Sequence, residues 1–129
     1  MGLDMYLNGD AFFTYEHPNR RIKPYEKERE IYQLGYWRKH PNLHGFIVQT
    51  FADGVDECQE IELTPEDLRT IIAAVKNREL PETTGFFFGE SDQSDDQIAH
   101  DLQVFEEALQ WLETEEPDVW RSVNYRASW

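Results

Sequence analysis

Residues 94 to 112 read SDDQIAHDLQVFEEALQWL and carry the strongest periodic signal in the chain. Ser94 and Gln97 form the pattern of a capping box, which marks the start of a helix, and Pro117 marks its end. Between them the apolar residues recur at the spacing of one helical face, and they are Ile98, Leu102, Phe105, Leu109 and Leu112. The stretch therefore predicts a long amphipathic helix whose apolar face must pack against another layer.

Two further helices are predicted upstream of it. Thr64-Pro65-Glu66-Asp67 combines a capping threonine, a proline at the first helical position and acids in the first turn. An apolar stripe follows, and the helix should end near Asn77-Arg78. Asn42 is the expected cap of a shorter helix that runs to Phe51.

The two ends of the chain have the alternating pattern of half-buried strands. Leu3 to Asn8 alternates apolar and polar residues, and so does Val119–Trp129. We expect these two strands to pair with each other, because a strand at a chain end frays unless it is held by tertiary contacts. Weaker patterns predict strands at Ile31–Arg38, at Cys58–Leu63 and in the glycine-bounded run Gly85–Gly89, whereas residues 9 to 25 resemble an irregular loop.

These elements predict one α+β domain over residues 1–129. We expect an antiparallel or mixed sheet of about four to five strands, packed by two to three helices. The chain of 129 residues is 40% hydrophobic and 14% aromatic, which excludes global disorder. Its length is typical of one domain.

The charge is unevenly distributed. The formal net charge is −14, which argues against a protein that grips a nucleic-acid backbone. Residues 20–39 carry a balance of +4, and residues 53–118 a balance of −17. The acidic zone serves either solubility alone or the docking of a partner with a basic surface. Its candidate docking residues lie on the long helix, and they are Asp95, Asp96, Asp101, Glu106, Glu107 and Glu113.

A second group of residues could form a pocket. Aromatic rings, cations, an imidazole, a carboxylate and a thiol occur close together in sequence at Tyr36, Trp37, Arg38, Lys39, His44, Asp56 and Cys58. Such groups can cover a ligand and bind its carboxylate or phosphate. Equally, Trp37 could be core, Arg38 could pair with an acid and Cys58 could be inert, since acidic neighbours oppose thiol activation.

No motif for a cofactor or metal is present in the sequence. His40 and His44 have helical spacing, but Pro41 intervenes and no zinc-protease glutamate follows. We expect no cofactor and no metal site, and catalysis is open but disfavoured. The single cysteine and an N-terminus unlike a signal peptide point to a cytoplasmic protein without a membrane anchor.

Several short motifs together resemble a family of small bacteriophage and prophage proteins. They are Gly2-Leu3-Asp4-Met5-Tyr6-Leu7, Tyr36-Trp37-Arg38-Lys39 with Asn42 and His44, Asp56-x-Cys58, Leu80-Pro81 followed by Gly85–Gly89, and Tyr125-x-Ala127-Ser128-Trp129. The chain departs from the family pattern at Glu57, where a second aspartate is usual, and lacks an aromatic pair before the long helix. The resemblance implies a phage-type setting and an accessory role, and it implies no particular reaction.

Two function hypotheses follow from these features. The first is a non-enzymatic accessory protein that binds a basic host or phage protein through the acidic zone. The alternative is a small enzyme or ligand-binding protein built around the candidate pocket, and it requires those side chains to converge. A structural subunit of an assembly is a third possibility, and it would present an exposed patch of Phe or Trp.

Overall fold

The computed structural model describes residues 2–21, 25–85 and 89–129. Within these ranges the chain forms four strands and three helices, in the order β1 (Asp4–Phe13), β2 (Arg29–Arg38), α1 (Pro41–Phe51), β3 (Ile61–Leu63), α2 (Pro65–Lys76), α3 (Asp95–Glu113) and β4 (Val119–Ser128). The expected single-domain α+β fold is confirmed.

The four strands form one antiparallel sheet in the order β2-β1-β4-β3. β1 and β4 are its central strands and pair along their whole length, from Asp4 opposite Ser128 to Phe13 opposite Val119. The expected pairing of the first and last strands is therefore confirmed. β3 is shorter than predicted, since only Ile61–Leu63 pairs with β4.

The helices cover one face of this sheet. Every second residue of β1 is buried, and the side chains between them are partly or fully exposed. On the covered face the ring of Trp37 in β2 stacks on Phe105 of α3 with centroids 5.3 Å apart. α1 contributes Leu43 and Ile47 to the same core. The uncovered side is called the open face below.

Residues 9–13 belong to β1, so the predicted loop over 9 to 25 begins too early. Glycine is common in turns, but Gly9 lies within β1 and allows close packing there. A Cβ atom at Gly9 would lie 2.8 Å from the ring of Trp111, so the absent side chain lets α3 approach the strand. Among the residues described between positions 14 and 25, turns do follow.

The helix boundaries agree with the sequence patterns except at α1. The Thr64–Asp67 capping box at α2 forms with both of its hydrogen bonds, and Ser94 caps α3. α1 begins two residues earlier than predicted, at Pro41 with His40 at the cap position, and Asn42 lies inside the helix. The predicted strand at Gly85–Gly89 falls largely on residues 86–88, which lie outside the described residues.

No helix formed by the described residues combines the length and apolar character needed to cross a membrane.

Candidate functional site

A buried carboxylate, Asp101, is the centre of the most extensive polar network of the fold. Its residue is only 1% exposed although it lies on α3, where polar residues usually face solvent. Its Oδ1 accepts hydrogen bonds from Nε1 of Trp37 at 2.7 Å and Nε2 of Gln97 at 2.8 Å. Its Oδ2 accepts one from Nε2 of His40 at 2.7 Å. Three donors thus compensate the cost of burying this carboxylate.

The network continues through His40 to the loop that precedes α3. The other ring nitrogen of His40, Nδ1, forms a hydrogen bond with the hydroxyl of Ser91 at 2.8 Å. The same Ser91 oxygen accepts the backbone N–H of Asn42 at 3.0 Å, at the start of α1. The side chain of Asn42 in turn accepts the backbone N–H of Thr83. These contacts attach the 80–94 loop to α1 and α3.

A small cavity of about 90 Å³ lies beside this network, between the end of α2 and the start of α3. His40, Asp101 and Gln97 form part of its wall. The order serine, histidine, aspartate resembles a hydrolytic triad in its connectivity. However, the Ser91 oxygen already accepts the Asn42 amide, and His40 and Asp101 are almost completely enclosed. We therefore interpret these contacts as a network that holds Ser91 in position against α1 and α3.

A second buried histidine, His44 of α1, lies between β4 and the 52–60 loop. Its Nδ1 forms a hydrogen bond with the hydroxyl of Tyr125 at 2.6 Å, and its Nε2 donates to both carboxylate oxygens of Asp56 at 3.0 and 3.1 Å. Trp129 packs edge-on against the imidazole. Burial, with a smaller contribution from the nearby Asp56 charge, raises the pKa of Tyr125 well above its ordinary value.

The residues of the predicted pocket do not meet at one site. Tyr36 and Arg38 lie on the open face and share Asp4 as hydrogen-bond acceptor. Trp37 points to the opposite, covered face.

Among the remaining pocket candidates, His44 and Asp56 are in contact, as described above. Lys39 is exposed and follows β2 with a positive φ of 56°. Cys58 is partly buried and also has a positive φ, of 57°.

The predicted acidic surface is present on α3 with one correction. Asp101 is buried in the network above and does not belong to it. The others are exposed, and we refer to Asp95, Asp96, Glu106, Glu107 and Glu113 as the acidic surface. At about 100° per residue, Asp95, Glu106 and Glu113 lie within about 20° of each other around α3, and Asp96 and Glu107 lie about 100° further round, so the five occupy one arc of about 120°.

No described cation of residues 20–39 forms an ion pair with the acidic surface. Four of them pair instead with acids near their own strands: Arg20 with Glu26 and Glu28, Lys27 with Glu30, Arg29 with Asp10 and Arg38 with Asp4. At the acidic surface, Arg78 pairs with Asp95 and Arg69 with Glu113. Ion pairs between the described residues therefore leave Asp96, Glu106 and Glu107 with uncompensated charge.

The open face of the sheet contains the largest groove described, about 920 Å³ in volume. It lies over the paired ends of β1 and β4 and reaches to the residues before and within β3. Phe12 and Trp120 are direct cross-strand partners there, and both rings are exposed. Asp10, Glu60 and Glu62 also line this groove.

Comparisons with known protein families, with curated proteins and with solved structures find no match to this chain. Fold and site are therefore interpreted from the residues themselves.

Within residues 2–21, 25–85 and 89–129, no group of three or more histidine, cysteine, aspartate or glutamate side chains is arranged to hold an ion.

The sequence analysis missed His40, Ser91 and Asp101 as a unit. One signal was available, because Asp101 falls three residues after Ile98 and four before Phe105, on the apolar side of the predicted helix. A carboxylate at such a position needs buried donors. Nothing in the sequence identified the donors, since they come from β2, from the start of α3 and from the residue before α1.

Proposed function

We propose that this chain is a cytoplasmic accessory protein of phage or prophage type that binds a basic protein through its acidic surface and catalyses no reaction. The proposal rests on the position of the acidic surface, which lies on one side of the ordered helix α3. Among the described residues, Glu106 and Glu107 have no cationic partner there. Fixed negative charge of this kind steers a basic partner during its approach.

The alternative of an enzyme or ligand pocket has weaker support. It requires Trp37, Arg38, Lys39, His44, Asp56 and Cys58 to surround one cavity, and Trp37 and Arg38 point to opposite faces of the sheet. The phage-type setting depends on the sequence motifs alone.

The test compares wild-type protein with Glu106→Lys/Glu107→Lys in affinity capture from host lysate at low and high salt. Its matched control is Glu79→Lys/Glu82→Lys, which changes the net charge equally at two exposed positions outside α3 and outside the groove of the open face. The proposal expects a discrete basic protein that binds wild type and the control and that is lost from the α3 variant. It also expects release at high salt, because the Debye length falls from about 10 Å at 0.1 M to about 3 Å at 1 M.

Equal retention by the α3 variant would contradict the proposal. So would equal loss from both variants, because the capture would then depend on total charge and not on this surface.

A further inference from the structure

The groove on the open face combines exposed aromatic rings with carboxylates. Trp120 is 74% exposed, Tyr15 55% and Phe12 47%, and all three line the same depression. Large exposed aromatic side chains in one patch are uncommon on a surface that only faces water. The patch therefore suggests a contact surface.

The register of the sheet places acids beside these rings. Asp10 lies two residues from Phe12 on the same side of β1, and Glu62 in β3 faces Asn124 of β4. Glu60 borders the same groove. No ion pair with another described residue is formed by Glu60 or Glu62, and Asp10 pairs with Arg29 through Oδ2 only. Its Oδ1 is buried beneath the surface and accepts no hydrogen bond from the described part of the chain.

The two arginines that border the groove are already engaged. Arg20 donates to the carbonyl of Phe13 and lies within 4.0 Å of Glu26 and Glu28. Arg121 donates to the carbonyl of Trp111 and to Glu116. The groove therefore presents net negative charge to an incoming molecule.

We propose that this groove binds an extended basic segment of a partner protein. Lysine or arginine head groups would pair with Glu60 and Glu62, while their aliphatic stems or guanidinium planes would pack on Phe12 and Trp120. An extended chain fits because its side chains alternate, as do those of the strands beneath it. Phosphate-bearing ligands are disfavoured by the same carboxylates.

This site is independent of the acidic surface, since α3 packs against the other face of the sheet. Either proposal can fail without the other.

The test uses the synthetic peptide acetyl-Ala-Lys-Ala-Lys-Ala-Lys-Ala-amide, followed by chemical-shift changes in the isotope-labelled full chain. Shifts should concentrate at β1, β4 and β3, including the Trp120 indole. Glu60→Gln/Glu62→Gln should weaken binding by about fivefold, as expected for two partly exposed charge contacts, and Trp120→Ala should also weaken it. Glu79→Gln/Glu82→Gln, at exposed positions outside both the groove and the acidic surface, is the matched control and should bind as wild type does.

Four results would overturn the inference: no binding, shifts confined to α3, equal binding of the glutamate version of the peptide, or equal binding of spermidine, which has the charge without a backbone. Self-association abolished by Trp120→Ala, seen by light scattering, would assign the face to a second copy of the chain and would overturn it as well.

Discussion

Nε2 of His40 lies 2.7 Å from Oδ2 of Asp101, and this contact links the residue before α1 to the first half of the long helix α3. The histidine is 5% exposed and the aspartate 1%. Trp37 of β2 donates to the same carboxylate. One acidic group therefore joins the sheet, two helices and, through Ser91, the 80–94 loop.

Asp101→Ala should be strongly destabilising. It leaves Trp37 Nε1 and His40 Nε2 without an acceptor in a buried site, and breaking buried polar networks of this kind costs about 3–5 kcal/mol. Denaturant unfolding followed by tryptophan fluorescence measures this loss. Glu106→Ala is the matched control on the exposed side of the same helix and should change stability by about 0.5 kcal/mol or less. Similar losses of unfolding free energy in Asp101→Ala and Glu106→Ala would show that the buried network does not stabilise the protein.

Stability should decrease in alkaline solution because of Tyr125. Its pKa is raised in the folded state, so its contribution is complete below the unfolded pKa of about 10 and is lost as pH rises toward the folded value. This one group can lower the free energy of unfolding by at most about 1.4 kcal/mol per pH unit. Urea unfolding between pH 9 and pH 11.5 measures the slope.

Tyr125→Phe should have a shallower alkaline slope than wild type, although its stability at neutral pH is lower because the bond to His44 is lost. The remaining slope includes Tyr32 and Tyr36, whose pKa values are raised mainly by hydrogen bonds to Glu30 and Asp4. Identical slopes in wild type and variant would exclude the proposed role of Tyr125 burial.

Gly45→Ala should destabilise the protein even though alanine favours helix formation. A Cβ atom at Gly45 would lie 2.1 Å from Oγ1 and 2.9 Å from Cβ of Thr83, so α1 and the 80–94 loop would have to separate. Such overpacking costs about 1–3 kcal/mol, more than the gain in helix propensity of about 1 kcal/mol. Thermal unfolding of Gly45→Ala, of Thr83→Gly and of the double variant tests this. The Gly45→Ala change should lower the melting temperature less in the Thr83→Gly background than in wild type, because the clashing side chain is then absent. No loss in the single variant would contradict the close approach.

The capping box of α2 should contribute about 1 kcal/mol. Thr64 accepts the backbone N–H of Asp67, and Asp67 accepts that of Thr64, so Thr64→Ala leaves a helix-end donor without its partner. Thr70→Ala, at an exposed position within the same helix, should be neutral or slightly stabilising. Chemical denaturation compares the two variants. Equal midpoints would indicate that water replaces the hydrogen bond of the Thr64 side chain without lowering the free energy of unfolding.

The local sequence patterns predicted most of the fold because each pattern depends on interactions between residues that are close together in the chain. Capping at Thr64 and Ser94 and the apolar stripe of α3 involve residues within a few turns of each other. The close packing at Gly9 could not be predicted in this way, because it depends on Trp111, which is about a hundred positions away in the chain. Short-range patterns cannot reveal such a contact.

The candidate sites were less predictable for the same reason. Closeness in sequence suggested that Trp37 and Arg38 act together, yet successive residues of a strand point to opposite faces. The acidic surface was largely anticipated because helical spacing alone places its members on one side. Asp101 was the exception, since only the donors from other elements explain its burial.

The central position of β1 and β4 affects how the molecule is made. β1 leaves the ribosome long before β4, and although β2 can pair with one of its edges early, its other edge has no partner until residues 119–128 emerge. Contacts between distant segments also slow folding. We expect nascent chains that lack residues 119–128 to depend on chaperones and to be degraded readily, because the centre of the sheet is complete only once β4 is available.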